Sequence, residues 1–223
     1  MVSAMSGSST TFSEAGVRAR LLIAADELFY AEGIHAVGID RVLTRAGVAK
    51  ASLYHHFESK DDLVVAYLDA RSVEMSRSLR DRLTDVAGNA HPRVVAIFEG
   101  IWDSAARGGF HGCPFINAAA EFPRAEHPVR RAIARHRQRF AAVISEQLSL
   151  GGLEPAPTLV EAILVTYDGA MVSAQVDGKK VAQRAAQRIL DALLVPGGVS
   201  PSAPPSPPPT AAAARREWLR LAR

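Results

Sequence analysis

The chain has 223 residues, 48% of them apolar and 22% charged, with a formal net charge of +3; that length can bury a real core, the composition excludes a low-complexity or fibrous chain, and the charge permits nucleic-acid binding without demanding it. The single cysteine, Cys113, excludes an intrachain disulfide. No uninterrupted apolar run approaches the roughly 18 residues of a membrane span, and the polar start MVSAMSGSSTTFSEAG lacks the basic and apolar regions of a secretion signal, so a cytoplasmic protein with no membrane partner is expected.

Residues 1–13 are small and polar and read as a disordered arm. From Val17 to Glu32 the pattern is helical, with Leu21, Ala25, Leu28 and Phe29 at helical spacing and Gly33 as a stop. A short second helix is predicted over about Ile39 to Ala46, with Ile39, Val42, Leu43 and Ala46 facing inward. Gly47 allows a left-handed turn and Val48 anchors it. A third helix, about Lys50 to His56, is pinned by Leu53 and Phe57. Ser59, with Asp62 three positions on, reads as the box-like start of a fourth helix carrying Leu63, Tyr67 and Leu68 past Met75.

Beyond Asn89 the helical segments lengthen and the breaks are short. One runs from His91 to about Ala106, before Gly108 and Gly109; another follows Cys113 and Pro114 through Glu121 and stops at Phe122 and Pro123. A third begins at His127 and Pro128, with proline well placed in a first turn. Its stripe is Val129, Ile133, Phe140, Ile144 and Leu148, and Gly151 with Gly152 closes it. Two last helices are predicted over about Pro157 to Val176 and Gly178 to Leu194. Almost nothing reads as a sheet, so the expected fold class is all-α. From Pro196 a Pro/Ser linker precedes a terminal segment that can form a short basic amphipathic helix. The organisation expected is an arm (1–13), a three-helix head (14–60), a helical bundle (61–195) and a Pro-rich tail ending in a basic segment (196–223).

Two short helices joined by a tight glycine turn, with a capped helix directly after, have the layout of a helix-turn-helix, which sets one helix in the major groove of DNA. Leu53 and Phe57 hold that helix, leaving Lys50, Ser52, Tyr54 and His55 to point outward. Lys50 and Ser52 lie at the leading end, where base edges are reached. Tyr54, His56 and Lys60 suit phosphate oxygens, and Lys60 lies in a helix first turn whose free N–H groups can share the phosphate. Thr44 and Arg45 can reach the flanking backbone. From Ala36 to Lys60 the basic residues Arg41, Arg45, Lys50 and Lys60 outnumber Asp40 and Glu58, so the binding surface is a small basic face. A generic helical hairpin with a solvated basic face would share this periodicity.

The run from Ala46 to Leu63, A-G-V-x-K-x-x-L-Y-x-H-F-x-S-K-x-x-L, resembles the DNA-binding domain of the TetR/AcrR family of bacterial transcriptional regulators. Phe29 to Gly33 also matches that family's first helix, and the resemblance spans about residues 17–70. It implies a three-helix head, a connecting fourth helix, an all-α regulatory domain, and a homodimer reading a palindromic operator. By that resemblance Lys50, Ala51 and Ser52 fall where the family contacts bases, and Tyr54, His55 and Lys60 where it contacts phosphates. Gly38 and Ile39 replace a common Thr or Ser, Ala49 a common capping Ser and Ala51 a frequent Gly; the first two changes remove hydroxyls that often cap or touch phosphate. The implied function is a ligand-responsive repressor and not an enzyme; an activator would use the same DNA-binding chemistry.

Two phrases in the second half, Gly112 to Arg130 and Asp168 to Gly178, also resemble the family, and neither names an effector. Small-molecule sites in helical domains lie between helices, with apolar walls and a few polar groups. Phe98, Trp102, Cys113, Phe115, Asn117, Glu121, Tyr167 and Met171 are the candidate lining, Trp102 foremost because a buried indole N–H needs a partner; each aromatic would serve equally as core. Cys113 sits at a helix start that could stabilise a thiolate, which would make a redox or electrophile sensor; a small buried apolar residue is the alternative. His111, Cys113 and His127 match no standard metal spacing, so neither metal nor cofactor is expected. The run Arg130, Arg131, Arg135, Arg137 and Arg139 reads as a solvated helix face rather than a second nucleic-acid surface. Small and branched residues on the last two helices, namely Leu159, Ile163, Ala170, Ala174, Ala182, Ala185, Ala186, Ile189 and Leu193, allow close approach either within the chain or, as the resemblance favours, in a four-helix dimer interface.

Overall fold

The computed structural model describes residues 8–195, and the described residues form nine α-helices. They are α1 (Ser8–Glu32), α2 (Ile39–Ala46), α3 (Lys50–His56), α4 (Lys60–Leu83), α5 (Ala90–Ala105), α6 (Pro114–Glu121), α7 (Pro128–Leu150), α8 (Pro157–Val176) and α9 (Lys179–Leu194). The fold is all-α, a helix-turn-helix head on a helical bundle. α1 begins at Ser8, earlier than the apolar spacing indicates, so it overlaps the expected arm at residues 8–13. The rest of that arm and the Pro-rich tail with its basic segment lie outside the described residues.

The head folds around the apolar beats of α1 to α4. Leu21, Ala25, Phe29, Val37, Val42, Leu53, Leu63 and Leu68 are buried together. Gly47 stands at φ 63° and its N–H reaches the carbonyls of Leu43 and Thr44, closing α2 in the left-handed turn that a side chain disfavours. Neither Gly38 nor Ala49 offers a side-chain cap to the helix it precedes, as the missing hydroxyls imply. Ser59 does cap α4: its Oγ accepts from the Asp62 N–H at 3.1 Å and donates to the Asp62 carboxylate at 2.9 Å.

The head core does not stop near residue 60. Leu63, Val64, Tyr67 and Leu68 of α4, Phe115 and Ala118 of α6, Phe122 and Val129 belong to it. α4 and α6 are thus shared between head and bundle. A second core, with Phe98, Ile101, Phe140, Ile144, Ile163, Tyr167 and Leu190, fills the bundle of α5, α7, α8 and α9. Gly151, after α7, is pressed against the start of α5: a Cβ there would lie 2.2 Å from the Ala90 nitrogen. Contrary to the expectation that no apolar run approaches a membrane span, α8 is by length and composition apolar enough to cross one. Here it packs against α5, α7 and α9.

Arg131, Arg135, Arg137 and Arg139 of α7 are exposed, as a solvated face requires, and several of the α7 arginines also tie helices together. Arg135 pairs with Asp69 at 2.9 Å and Arg137 with Asp168 at 2.7 Å. Arg139 donates to Ser72 Oγ at 3.0 Å, and Arg130 donates to the Ala119 carbonyl at 3.3 Å.

Candidate functional site

The reading helix is short and rigidly held. Leu53 is fully buried and Phe57 nearly so, with the Arg18 guanidinium 5.4 Å from the Phe57 ring centre. On the opposite side Lys50, Ala51, Tyr54 and His55 are exposed; Ser52 and His56 are half-buried. Tyr54, a large aromatic left half exposed, is the residue that core packing does not explain.

The basic residues around it already have partners. Arg45 pairs with Glu27 at 2.6 Å and Arg41 grips both Glu32 oxygens at 2.7 and 2.8 Å, tying α2 to α1. That contact holds the Glu32 carboxyl below its ordinary range. Lys50 lies 3.6 Å from Asp40, and Thr44 Oγ1 donates to the Asp40 carbonyl at 2.9 Å. These exposed pairs contribute little stability and exchange readily for phosphate. Lys60 differs from the expectation: its ammonium is turned inward and donates to the Ile34 carbonyl at 2.6 Å. Burial lowers its pKa, partly opposed by the Glu121 and Asp61 charges.

Glu121 is the main displacement from the predicted site. It does not line a cavity; it joins α6 to the head. One carboxylate oxygen accepts the Ile34 N–H at 2.8 Å and the other the His35 N–H at 2.5 Å, both in the loop between α1 and α2. Next to it Phe122 lies between the rings of His35 and His127, with centres 4.8 and 4.7 Å away. His127 Nε2 is 3.2 Å from Asp61, at the start of α4.

Two adjoining cavities open in the bundle. One, ≈ 200 Å³, lies among α1, α4, α5, α6 and α8; the other, ≈ 240 Å³, lies among α4, α6, α7 and α8. Both are walled by Met75, Pro114, Phe115, Tyr167 and Met171. Of the expected lining, Phe115, Tyr167, Met171 and Cys113 stand on these walls. Three others do not stand there. Trp102 is packed in the bundle core, Phe98 stands behind the wall against Tyr167 at 5.3 Å, and Asn117 braces the preceding loop by donating to the His111 carbonyl at 2.8 Å.

His136 escapes the sequence reading. Val129, Ile133 and Phe140 recur at helical spacing on α7, and His136 is the polar residue on the remaining beat. Its ring stacks on Phe115 at 3.5 Å, almost parallel. Burial first, then the Arg139 and Arg137 charges, push its pKa down to about 4, so the ring is neutral at physiological pH. Cys113 caps α6, but burial outweighs the backbone N–H groups of Phe115 and Ile116 and pushes the thiol up. The helix-start argument for a thiolate therefore loses to desolvation. Among the described residues no three potential ligands cluster for a metal.

The predicted dimer residues divide. Ile163, Ala170, Ala174, Ala182 and Ala186 are buried in their own chain, Leu159 and Leu193 are half-buried against the same core, and only Ala185 and Ile189 are exposed. Exposed along with those two are Val165, Val172 and Val176 of α8 and Val181 of α9.

A reading helix held by Leu53 and Phe57 and exposed on its other side, set on a bundle with two cavities, is the layout of a helix-turn-helix regulator of transcription. Residues 21–67 match the model of bacterial regulatory proteins of the tetR family, and residues 90–190 match a tetracyclin repressor-like C-terminal domain. The Streptomyces coelicolor TetR-family regulator SCO4454 is 36% identical, with TM-score 0.74 over 80% of this chain and 94% of that one. The transcriptional activator FasR of Mycolicibacterium smegmatis is 40% identical over 86 residues, so the match spans only 39% of either protein. The transcriptional repressor NemR of Escherichia coli is 27% identical over 139 residues, 62% of this chain and 70% of that protein. The chain belongs to the TetR family of bacterial transcriptional regulators. As a DNA-binding protein of that family it works in the cytoplasm.

Proposed function

We propose that this regulator is a repressor that binds a palindromic operator as a homodimer and is released when a small molecule enters the α4–α8 cavities. The observation that carries the proposal is the path through α6. Its first residues, Pro114 and Phe115, wall both cavities, and its last, Glu121, holds the loop that positions α2 and α3. A ligand that shifts α6 acts on the head without touching DNA, provided it binds the two arrangements with different affinity.

In this reading Lys50, Ala51 and Ser52 meet bases. Tyr54, His55 and His56 meet phosphates, joined by Thr44 and by Arg45 once it leaves Glu27. Lys60 contributes through its helix-start N–H groups, or through its ammonium once that leaves Ile34. The exposed valines of α8 with Ala185 and Ile189 supply the dimer face, replacing the buried alanines as the contact surface. Two reading helices then lie about one DNA turn apart, roughly 34 to 36 Å. Activation is the second reading, favoured by the likeness to FasR over 86 residues, and it uses the same DNA contacts. Selection of operator DNA from a random pool, followed by transcription from that operator with and without protein, tests both. Failure to enrich any inverted repeat would overturn the proposal; increased transcription would replace repression by activation.

A further inference from the structure

The chemistry of the cavity narrows what it can hold. Across the two cavities every charged wall side chain but Arg130 is paired with an opposite charge. Arg71 pairs with Asp26, Arg82 lies 2.5 Å from Asp103, Arg137 is 2.7 Å from Asp168, and Arg130 donates to the Ala119 carbonyl. A cation would be desolvated there without a free carboxylate, and an anion would have to draw Arg130 away from the Ala119 carbonyl.

His136 supplies the polar feature. Its Nδ1 lies 2.9 Å from Ser72 Oγ, and both residues are buried. That hydroxyl already accepts from Arg139, so its own hydrogen is left for His136, which makes Nδ1 the acceptor. In a neutral ring the proton then sits on Nε2. Among the described residues Nε2–H has no acceptor, and it belongs to a ring on the wall of the ≈ 240 Å³ cavity. Tyr167 stands on the same wall and carries a hydroxyl donor. The remaining surface is thioether, aromatic and aliphatic, from Met75, Phe115, Ile133, Phe140 and Met171.

We propose that the α4–α6–α7–α8 cavity takes an uncharged, mainly apolar ligand whose carbonyl oxygen accepts a hydrogen bond from His136 Nε2–H, with the Tyr167 hydroxyl as a second donor. This rests on the reading of the cavity as the effector site. The stacking of His136 on Phe115, the first turn of α6, makes the same ring the contact through which a bound carbonyl bears on α6.

Three probes of one shape test it by calorimetry on the full chain: 2-acetylnaphthalene, 2-ethylnaphthalene and 2-naphthoate. The ketone is expected to bind at least about tenfold tighter than the carboxylate. His136→Phe keeps the stacked ring and removes both nitrogens; it is expected to weaken the ketone roughly 5- to 20-fold and the hydrocarbon less than about twofold. In the parent protein the ketone, and not the hydrocarbon, should shift the His136 Nε2–H resonance, a readout independent of the variant's folding. Tighter naphthoate, equal losses for ketone and hydrocarbon, an unmoved resonance, or no binding of the ketone up to its solubility overturns the proposal. DNA affinity is scored separately. A ketone that binds with this signature and leaves DNA affinity unchanged overturns the effector reading and leaves the ligand chemistry standing.

Discussion

Glu121→Gln isolates the joint between bundle and head while changing almost no volume. The carboxylate takes two backbone N–H groups, one on each oxygen, at 2.8 and 2.5 Å. A glutamine has one acceptor oxygen; its NH₂ would face the other N–H. One charge-assisted bond is lost and one amide loses its partner. A bond of that kind contributes about 1.5 to 3 kcal/mol when buried. The His35 side is open, with that side chain 61% exposed, so water takes over part of the loss. The expected net effect is about 1 to 2 kcal/mol on local opening. Amide hydrogen exchange reads it directly: Ile34 and His35 should exchange about 5- to 30-fold faster, while α8 and α9 keep the parent rates. Operator affinity should fall and its response to a bound ligand should shrink together. Unchanged exchange at both amides would refute the reasoning, and a uniform rise across the bundle would mean that Glu121 supports the fold instead of the joint.

Lys60→Met should leave the salt dependence of operator binding unchanged if the ammonium stays on Ile34, whereas a slope lower by about 1 would show that it moves to a phosphate. Val172→Asp places a carboxylate in the exposed α8 row and should raise the dimer dissociation constant about 100-fold or more; an unchanged constant in sedimentation equilibrium would move the interface elsewhere. Cys113 should react with iodoacetamide at pH 7.5 much more slowly than a free thiol, and at the free-thiol rate in denaturant, because burial holds the thiol up; fast native alkylation that alters operator binding would restore the sensor reading. His136 is neutral when folded, with its pKa near 4 instead of 6.5. The folded state therefore binds fewer protons than the unfolded one, so its contribution is complete above pH 6.5 and is lost as pH falls toward 4. The loss is at most roughly 3 kcal/mol, and His136→Phe should flatten denaturation midpoints in that window.

Legibility in the sequence tracks the physical range of each signal. α2 and α3 are legible to the residue because their signals are local: Gly47 turns the chain, Leu53 and Phe57 point inward, and Ser59 caps the next helix. The bundle cavity is half legible. Phe115, Tyr167 and Met171 stand out as apolar residues on facing helices, yet Phe98 and Trp102 look the same in one dimension and pack as core. Glu121 is visible as an odd acid between Ala120 and Phe122; its partners are 86 and 87 residues away in sequence, so nothing local shows that it points to the head. The dimer row misleads for a similar reason. Small residues mark close approach, and here Ala170, Ala174, Ala182 and Ala186 let α8 and α9 approach other elements of their own chain. The face of α8 left exposed carries the larger valines.

The dimensions of α6 explain why so short a helix can connect the two halves. From Pro114 to Glu121 its axis is about 10 Å long, short enough to move as a rigid piece. Pro114 fixes its first turn, and beyond its far end Phe122 is clasped between His35 and His127. A displacement of about 1 Å at Phe115 therefore arrives at Glu121 nearly undiminished, and 1 Å is enough to break a 2.5 to 2.8 Å hydrogen bond. The energy at stake, about 1 to 2 kcal/mol, falls within the 1 to 3 kcal/mol that couples sites in regulated proteins. A single joint of that size changes affinity about 5- to 30-fold. A dimer has two, and if both must hold for the reading helices to keep their spacing, the factors multiply to between roughly 30 and 1,000. A modest joint repeated by symmetry is thus sufficient for a switch, and the head need not unfold for DNA to be released.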